Sequence, residues 1–174
     1  KSTSSVCLRY GVGKLVLEGF TDSDMYGDTD SSRSTSGYVM TYAGGAVSWQ
    51  SRLQKSVALS TTEAKHMAAV EAGKELIWMR NFLNELGMKQ REFLLHCDSQ
   101  SAIHLAKNVA YHSRTKHIQR RYHWLRERVK EGEFSLVKIH TDDNGSDMLT
   151  KNLPMDRLRV YRQKTGLTDF LPQE

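Results

Sequence analysis

The stretch FLLHCDSQ, residues 93–100, contains the order of elements on which the fold depends. Its apolar residues before Asp98 predict a short buried strand, and the run SAIHLAKN that follows predicts a short helix. A charged group directly after an apolar strand needs a partner. Strand ends and helix starts meet at one rim of an α/β sheet, so we expect Asp98 to lie at such a rim.

Three further carboxylates lie at comparable junctions. Asp22, in GFTDSD, closes a strand-like run, whereas Glu63, in LSTTEAKHMAA, and Asp147, in DNGSDMLTK, each open a helix-like run. We therefore expect four carboxylates from distant parts of the chain to converge. Clusters built from oxygen ligands alone suit hard cations such as Mg²⁺ or Mn²⁺. Two such ions about 4 Å apart clamp a phosphodiester for in-line attack by water, so the pattern indicates a metal-dependent nuclease.

These three carboxylates also have a structural interpretation. Ser60 and Glu63 have the S-x-x-E spacing of a capping box, in which the glutamate only satisfies a backbone donor. Asn144 and Asp147 have the same spacing, and Asp22 fits an Asx turn. Taken singly, a capping or turn residue is the more common role for each of them.

The remaining pattern predicts a mixed α/β sheet with helices against its faces. Three or more strand-like runs precede a long helix over residues 61–86, which Gly87 ends. A second amphipathic helix is predicted over residues 117–131.

Polar runs and helix-breaking residues predict a loop and the last secondary-structure elements of the chain. The run DMYGDTDSSRST predicts a polar loop, and FSLVKIHT predicts the last strand. SDMLTKNL predicts a helix that Pro154 ends, and residues 155–166 predict a final basic helix.

Length and composition bound the class of protein. The 174 residues fit one domain with a sizeable core. The sequence has no signal-peptide pattern and no apolar run of the roughly 18–20 residues that a membrane span needs. Cys7 and Cys97 have no metal-binding spacing, and Cys97 lies in an apolar strand, so we expect a buried free thiol. This cysteine usage favours a reducing, intracellular compartment.

The positive charge is concentrated in one segment. Residues 105–130 contain eight lysines and arginines against Glu127 alone, a net charge of +7, whereas the whole chain carries +5. The residues outside this segment therefore have a net charge of −2. A basic segment in an otherwise nearly neutral chain is typical of a protein with a polyanionic partner. A solvated helix face is the common alternative, but such faces usually mix both signs of charge.

Long co-linear segments resemble the RNase H domain of copia-type (Pseudoviridae) LTR retrotransposon Pol polyproteins, most of all those of plants. The resemblance covers roughly residues 15–153. The segments that carry it are GFTDSDMYGD, RSTSGYVMTYAGGAVSWQSRLQKSVALSTTEA, AGKELIWMRNFL, LHCDSQSAIHLAKN, HSRTKHIQRRYHWLRERV and SDMLTK.

The resemblance implies an α/β, RNase H-like fold with a mixed five-stranded sheet flanked by helices. It implies that residues 1–14 are the tail of the reverse transcriptase connection region, that residues 15–153 are the RNase H-like domain, and that residues 154–174 are a C-terminal helical extension. The implied partners are an RNA–DNA hybrid and the reverse transcriptase portion of the same polyprotein, with no membrane. The implied location is intracellular, in a cytoplasmic virus-like particle, with the nucleus as an alternative.

The resemblance also assigns residue roles. Asp22, Glu63, Asp98 and Asp147 match the catalytic carboxylates, which would hold two Mg²⁺ ions, with Mn²⁺ as a substitute. Gln100 matches the glutamine that reads the minor groove of the hybrid. Together with residues of the helix starts and of the basic segment, the expected nucleic-acid-binding set is Ser60, Thr61, Thr62, Ser99, Gln100, Arg114, Lys116, His117, Arg120 and Arg121.

The chain departs from the family pattern at a few positions. The family usually reads T-E-A-E-Y where this chain has Lys65 and His66 after Glu63, and L-T-K-P-L where this chain has Asn152. Neither departure removes an expected metal ligand. The implied activity is ribonuclease H, and two alternatives remain: a host-captured, weakly active or inactive domain that binds hybrids or proteins, and a DNA-acting member of the same superfamily.

Overall fold

The computed structural model describes residues 5–107 and 116–169, with the backbone alone for residues 116–122. Its strands are β1 (Val6–Leu8), β2 (Glu18–Asp28), β3 (Arg33–Tyr42), β4 (Gly45–Leu53), β5 (Leu94–Cys97), β6 (Ser135–Lys138) and β7 (Leu167–Asp169). Its helices are α1 (Thr61–Glu85), α2 (Gln100–Lys107), α3 (Lys116–Lys130) and α4 (Met155–Lys164), with 3₁₀ helices η1 (Thr141–Asp143) and η2 (Gly145–Leu149).

Five strands form the main sheet, in the order β4-β3-β2-β5-β6. The first three are an antiparallel meander, and β5 and β6 run parallel to β2. Hairpins join the antiparallel strands, whereas α1 leads the chain from the meander into β5, and α2 and α3 connect β5 to β6, as parallel pairing requires. The predicted mixed five-stranded sheet with flanking helices is confirmed.

The core lies between this sheet and helices α1, α2 and α3. Each element contributes apolar side chains with almost no exposed surface. They include Met40, Leu76, Leu95, Ile103, Leu125 and Leu136, together with the predicted buried thiol of Cys97. Burying these side chains holds the helices against the sheet and fixes the strand ends that carry the site.

Helix α1 follows its sequence signals closely. Its N-cap is Ser60, whose Oγ accepts a hydrogen bond from the Glu63 N–H, and it ends before Gly87, which has a left-handed φ of 78°. Across the described segments, no helix combines the length and the apolarity needed to cross a bilayer.

A second, two-stranded sheet joins the two ends of the described chain. β1 pairs with β7 in antiparallel register, and the Arg9 N–H donates to the Gly166 carbonyl at 2.8 Å. The predicted C-terminal extension therefore contains a strand as well as a helix. The predicted domain boundaries at residues 14 and 154 stay a prediction, and this pairing links the segments on either side of them.

Three element predictions were wrong. The run DMYGDTDSSRST is mostly strand rather than loop, because β2 extends to Asp28, β3 begins at Arg33, and only residues 29–32 form the turn between them. Backbone pairing satisfies these N–H and C=O groups whether or not the side chains are polar. β6 is not the last strand, since β7 follows it, and the run SDMLTKNL contains the short 3₁₀ helix η2 rather than an α-helix.

We expect Gly37→Ala to destabilise the fold by about 1–3 kcal/mol, because overpacking a filled site forces its neighbours apart. A Cβ at Gly37 would lie 2.7 Å from Cγ2 of Thr150 and 2.9 Å from Cβ of Leu149, where η2 packs on β3. The matched control is Gly145→Ala, whose Cβ would meet only Thr165 Cγ2, at 3.6 Å. Urea unfolding of both variants gives the comparison, and equal stability would contradict this account of the packing.

Candidate metal centre

Asp22 and Asp98 are neighbours because of the register between two parallel strands. β2 and β5 pair with Thr21 opposite Cys97, so the next residue of each strand is an aspartate. The expectation that Asp22 closes its strand was wrong, since β2 continues to Asp28. Only the pairing with β5 ends just before Asp22, at Thr21, because β5 stops at Cys97 while β3 continues alongside β2.

Asp147 reaches the same place on η2. Asn144, at the N-cap of η2, is fully buried; its Nδ2 donates to the Thr21 carbonyl at 3.0 Å, and its Oδ1 accepts from Ser146 Oγ at 2.7 Å. Gly37 lies opposite Asp22 on β3 and has no side chain, which leaves room for η2. These contacts fasten the helix that carries Asp147 to the sheet beside Asp22.

Three of the four predicted carboxylates are brought together. Asp22, Asp98 and Asp147 each present an oxygen within 4.8 Å of the other two, and their side chains are at most 4% exposed. Carboxylate oxygens at this spacing, drawn from three separate elements, form a donor set that fits a hard divalent cation. The three aspartates therefore fit the expected ion. Glu63, the fourth predicted carboxylate, is not part of this cluster.

Glu63 satisfies a backbone donor at the start of α1, as its spacing predicts, although that donor belongs to Leu59, one residue before the N-cap Ser60. Its backbone N–H donates to Ser60 Oγ at 3.1 Å, and its Oε2 accepts from the Leu59 N–H at 2.8 Å. The side chain is buried, and Oε1 makes no hydrogen bond. One carboxylate oxygen therefore holds the start of α1, while the other is buried without a hydrogen-bond donor.

Two lysines lie among the three aspartates. Lys65 Nζ is 2.9 Å from Asp22 Oδ1 and 2.5 Å from Asp98 Oδ1. Lys151 Nζ is 3.2 Å from Asp22 Oδ2 and 3.1 Å from Asp147 Oδ1. Asp22 therefore contacts both ammonium groups, and each lysine links it to a different neighbour.

The pKa values reflect this arrangement of charges. Burial acts to raise the pKa of Asp22, but the charge of Lys65 and the hydrogen bond from Thr150 outweigh it and hold the pKa below its ordinary value. Burial and the nearby charge of Asp22 together raise the pKa of Asp147 to about 6. Burial acts to lower the pKa of Lys65, yet Asp22 and Asp98 keep it above its usual value. Like charges thus oppose one another here, and the lysines offset that repulsion.

Two threonines also contact the site. Thr150 Oγ1 donates to Asp22 Oδ2 at 2.6 Å, and Thr141 Oγ1 donates to Asp98 Oδ2 at 3.3 Å. Neither these threonines nor the two lysines were predicted from the sequence as site residues. A signal existed for Lys151, which follows Asp147 by four residues, and for Lys65, which reverses the usual charge of a family motif.

The predicted nucleic-acid-binding residues near the helix starts lie on the surface. Gln100 and Thr61 are exposed, as is Ser60, while Thr62 is half-buried. Ser99 accepts a hydrogen bond from the Ala102 N–H at 3.2 Å and so caps α2, the helix that Gln100 begins. Ser99 and Gln100 directly follow Asp98, and residues 60–62 lead into α1, whose Lys65 contacts Asp98.

The structure describes only some of the basic residues that were predicted to bind nucleic acid. Arg114 lies outside the described residues. The other four, which are Lys116, His117, Arg120 and Arg121, lie in α3, and the structure describes only their backbone. Their role in binding nucleic acid stays a prediction.

Solved structures with a similar architecture include ribonucleases H. LC11-RNase H1, isolated from compost, superposes with a TM-score of 0.58 at 16% identity, covering 78% of this chain and 93% of that one. The same enzyme in complex with an RNA/DNA hybrid gives a TM-score of 0.57 at 17% identity, over 77% of this chain and 93% of that one. The fold, with its acidic cluster, is that of an RNase H-like domain.

Curated relatives identify the kind of protein from which such a domain comes. The chain is 51% identical over 167 residues to the retrovirus-related Pol polyprotein from transposon TNT 1-94 of Nicotiana tabacum, covering 96% of this chain. It is 35% identical over 159 residues, 91% of the chain, to that from transposon RE1 of Arabidopsis thaliana. No model of a known protein family matches the sequence.

These matches confirm the predicted resemblance. The chain belongs with the RNase H segment of copia-type plant retrotransposon Pol polyproteins. It spans 13% of the length of the first of these relatives and 11% of the second.

We expect Glu63→Ala to lower the free energy of unfolding by about 1 kcal/mol, because it removes the acceptor that holds the Leu59 N–H at the start of α1. Glu63→Gln keeps an oxygen acceptor and should stay within about 0.5 kcal/mol of the parent chain. Thermal unfolding of the two variants in EDTA gives the comparison. Equal losses for Ala and Gln would contradict the capping role.

Proposed function

We propose that this chain is a ribonuclease H that hydrolyses the RNA strand of RNA–DNA hybrids during retrotransposon reverse transcription. The observation that carries the proposal is the meeting of three buried carboxylates, Asp22, Asp98 and Asp147, on an RNase H fold. Homology to Pol polyproteins supports the biological setting, and the hybrid bound by LC11-RNase H1 supports the substrate class.

Asp22, Asp98 and Asp147 would hold divalent ions, with Glu63 completing the donor set from the start of α1. We propose Mg²⁺, bound as a pair, with Mn²⁺ as a substitute. Ions held there would supply Lewis-acid chemistry, a lowered pKa for an attacking water molecule and stabilisation of the leaving 3′ oxygen. The products would then carry 5′-phosphate and 3′-hydroxyl ends.

The residues of the chain control when the site can act. A cluster of carboxylates repels a phosphodiester, so substrate approaches only when positive charge offsets that of Asp22 and its neighbours. The hydroxyl of Thr150 fixes the Asp22 carboxylate, and that of Thr141 fixes the Asp98 carboxylate. Both aspartates are thereby oriented before the ion and the substrate arrive.

Strand choice would come from the residues beside the site. The exposed Gln100, with Ser99 and the turn at residues 60–62, would contact the wide minor groove, where the 2′-hydroxyl distinguishes RNA from DNA. The basic residues of α3, including Lys116, His117, Arg120 and Arg121, together with Arg114 before it, would hold phosphates of the DNA strand.

A second function is favoured by one specific observation. Lys65 lies between Asp22 and Asp98, where its ammonium group could take the place of a metal ion. A captured domain that binds hybrids or proteins with little or no cleavage would tolerate such a residue. The first function remains our proposal, because all four expected carboxylates are present in the chain.

The wider setting is also proposed. The reverse transcriptase portion of the same polyprotein would be the partner that delivers the hybrid. A cytoplasmic virus-like particle would be the compartment, with the nucleus as the alternative.

We expect Asp98→Asn to lower the rate of Mg²⁺-dependent hybrid cleavage at least about 100-fold, because it removes one ligand charge beside the scissile phosphate. A hybrid labelled on each strand in turn, incubated with Mg²⁺ or Mn²⁺, measures the rate. The parent chain should cut the RNA strand alone. If both proteins bind the hybrid and neither cleaves it, the second function, hybrid binding without cleavage, would be favoured instead.

Glu63→Gln is a useful companion to that assay. Because glutamine can keep the cap on α1, a loss of cleavage in this variant would reflect a missing ligand charge rather than a damaged fold. Unchanged cleavage by Glu63→Gln would leave Glu63 with its capping role alone.

Binding of hybrid should weaken steeply with salt, because phosphate contacts release counterions. We expect Arg120→Gln with Arg121→Gln to reduce the slope of log K against log salt by about 2, roughly one for each lost phosphate contact. The matched control is Arg157→Gln with Arg159→Gln on α4, outside the basic segment. Fluorescence anisotropy at a series of salt concentrations measures the slopes, and equal slopes for the two double variants would contradict the role assigned to α3.

A further inference from the structure

Lys65 occupies the space between two of the proposed ion ligands. Its Nζ lies 2.9 Å from Asp22 Oδ1 and 2.5 Å from Asp98 Oδ1. A divalent ion such as Mg²⁺ binds carboxylate oxygens at about 2.0–2.1 Å, closer than a lysine does. An ion that used these two oxygens would therefore have to displace the ammonium group.

The two lysines of the site differ in how readily they can leave it. The side chain of Lys151 is 32% exposed and follows the short helix η2, so it can turn towards solvent. The side chain of Lys65 is 12% exposed, extends from the long helix α1, and contacts two carboxylates that are almost fully buried. Displacing Lys65 means breaking two largely buried ion pairs, which costs more than breaking exposed ones.

We propose that Lys65 is a built-in cation that competes with the divalent ion for Asp22 and Asp98 and so sets the ion concentration at which the site fills. The inference rests on the proposed function, because it takes the acidic cluster to be an ion site. The ammonium group is tethered beside its ligands, so its effective concentration is fixed and high. The divalent ion must therefore reach a higher concentration in solution to fill the site than it would if Lys65 were absent.

The same contacts stabilise the chain when no ion is bound. Asp22 and Asp98 would otherwise bring two negative charges together away from water, with Lys151 as the remaining ammonium group beside Asp22. A buried charge that loses its partner is strongly destabilising. Lys65 therefore has two opposed effects: it stabilises the ion-free fold and weakens ion binding.

Lys65→Met separates these effects, since methionine is unbranched and uncharged. We expect its Kd for Mn²⁺, measured by isothermal titration calorimetry, to be at least about tenfold lower than that of the parent chain, a gain of about 1.4 kcal/mol. In EDTA its Tm should fall below that of the parent. Added Mg²⁺ should raise the Tm of the variant more than that of the parent, because tighter binding gives greater stabilisation at the same ion concentration.

Two further variants at the same position guard against a folding defect. Lys65→Gln is neutral but keeps amide donors for the carboxylates, so it should fold more readily than Lys65→Met and still bind Mn²⁺ more tightly than the parent. Lys65→Arg keeps the positive charge and should keep the weak ion binding of the parent. The matched control is Lys74→Met on the exposed side of α1, where Lys74 pairs with Glu71 rather than with the site.

The outcomes distinguish this inference from the proposed function. Tighter Mn²⁺ binding in both neutral variants, with Lys74→Met unchanged, is the expected result. Equal Kd values for the parent and both neutral variants would overturn the inference and leave the ion site in place. Failure of every variant to bind Mn²⁺ would overturn the ion site itself, and with it both proposals.

Discussion

The structure depends on one electrostatic constraint: the carboxylate of Asp22 is withdrawn from water while two other carboxylates lie beside it. Like charges in such a place are costly unless cations or hydrogen-bond donors offset them. Lys65, Lys151 and Thr150 all contact Asp22 and serve that purpose. A bound divalent ion would also offset these negative charges, so the lysines and the ion are alternative sources of the positive charge that the carboxylates need.

The backbone accounts for how the three carboxylates meet. The parallel register of β2 and β5 places Asp22 and Asp98 side by side, and the missing side chain at Gly37 lets η2 bring Asp147 to them. Asn144 then ties η2 to the backbone of β2. The site therefore rests on backbone pairing and close packing.

Helix α1 contributes two residues with different roles. Glu63 caps the first turn through the Leu59 N–H, whereas Lys65 contacts Asp22 and Asp98. Residues two apart on a helix do not share a face, so the helix presents them to different surroundings. The chain thus carries, within one helical turn, a glutamate that the family resemblance makes a ligand and the lysine that we propose as a competing cation.

The sequence by itself determined α1 to within one residue and the buried strand before Asp98, because apolar periodicity and capping signals are local. The class of fold and the three carboxylates that converge followed from the order of the elements and from the family resemblance. Only the tertiary structure decided that β2 continues past Asp22, since that depends on pairing with β3. It also decided that Glu63 lies outside the group of three and that Lys65 lies within it. Side-chain contacts between residues 43 positions apart depend on strand register and helix rotation, which no local pattern in a single sequence specifies.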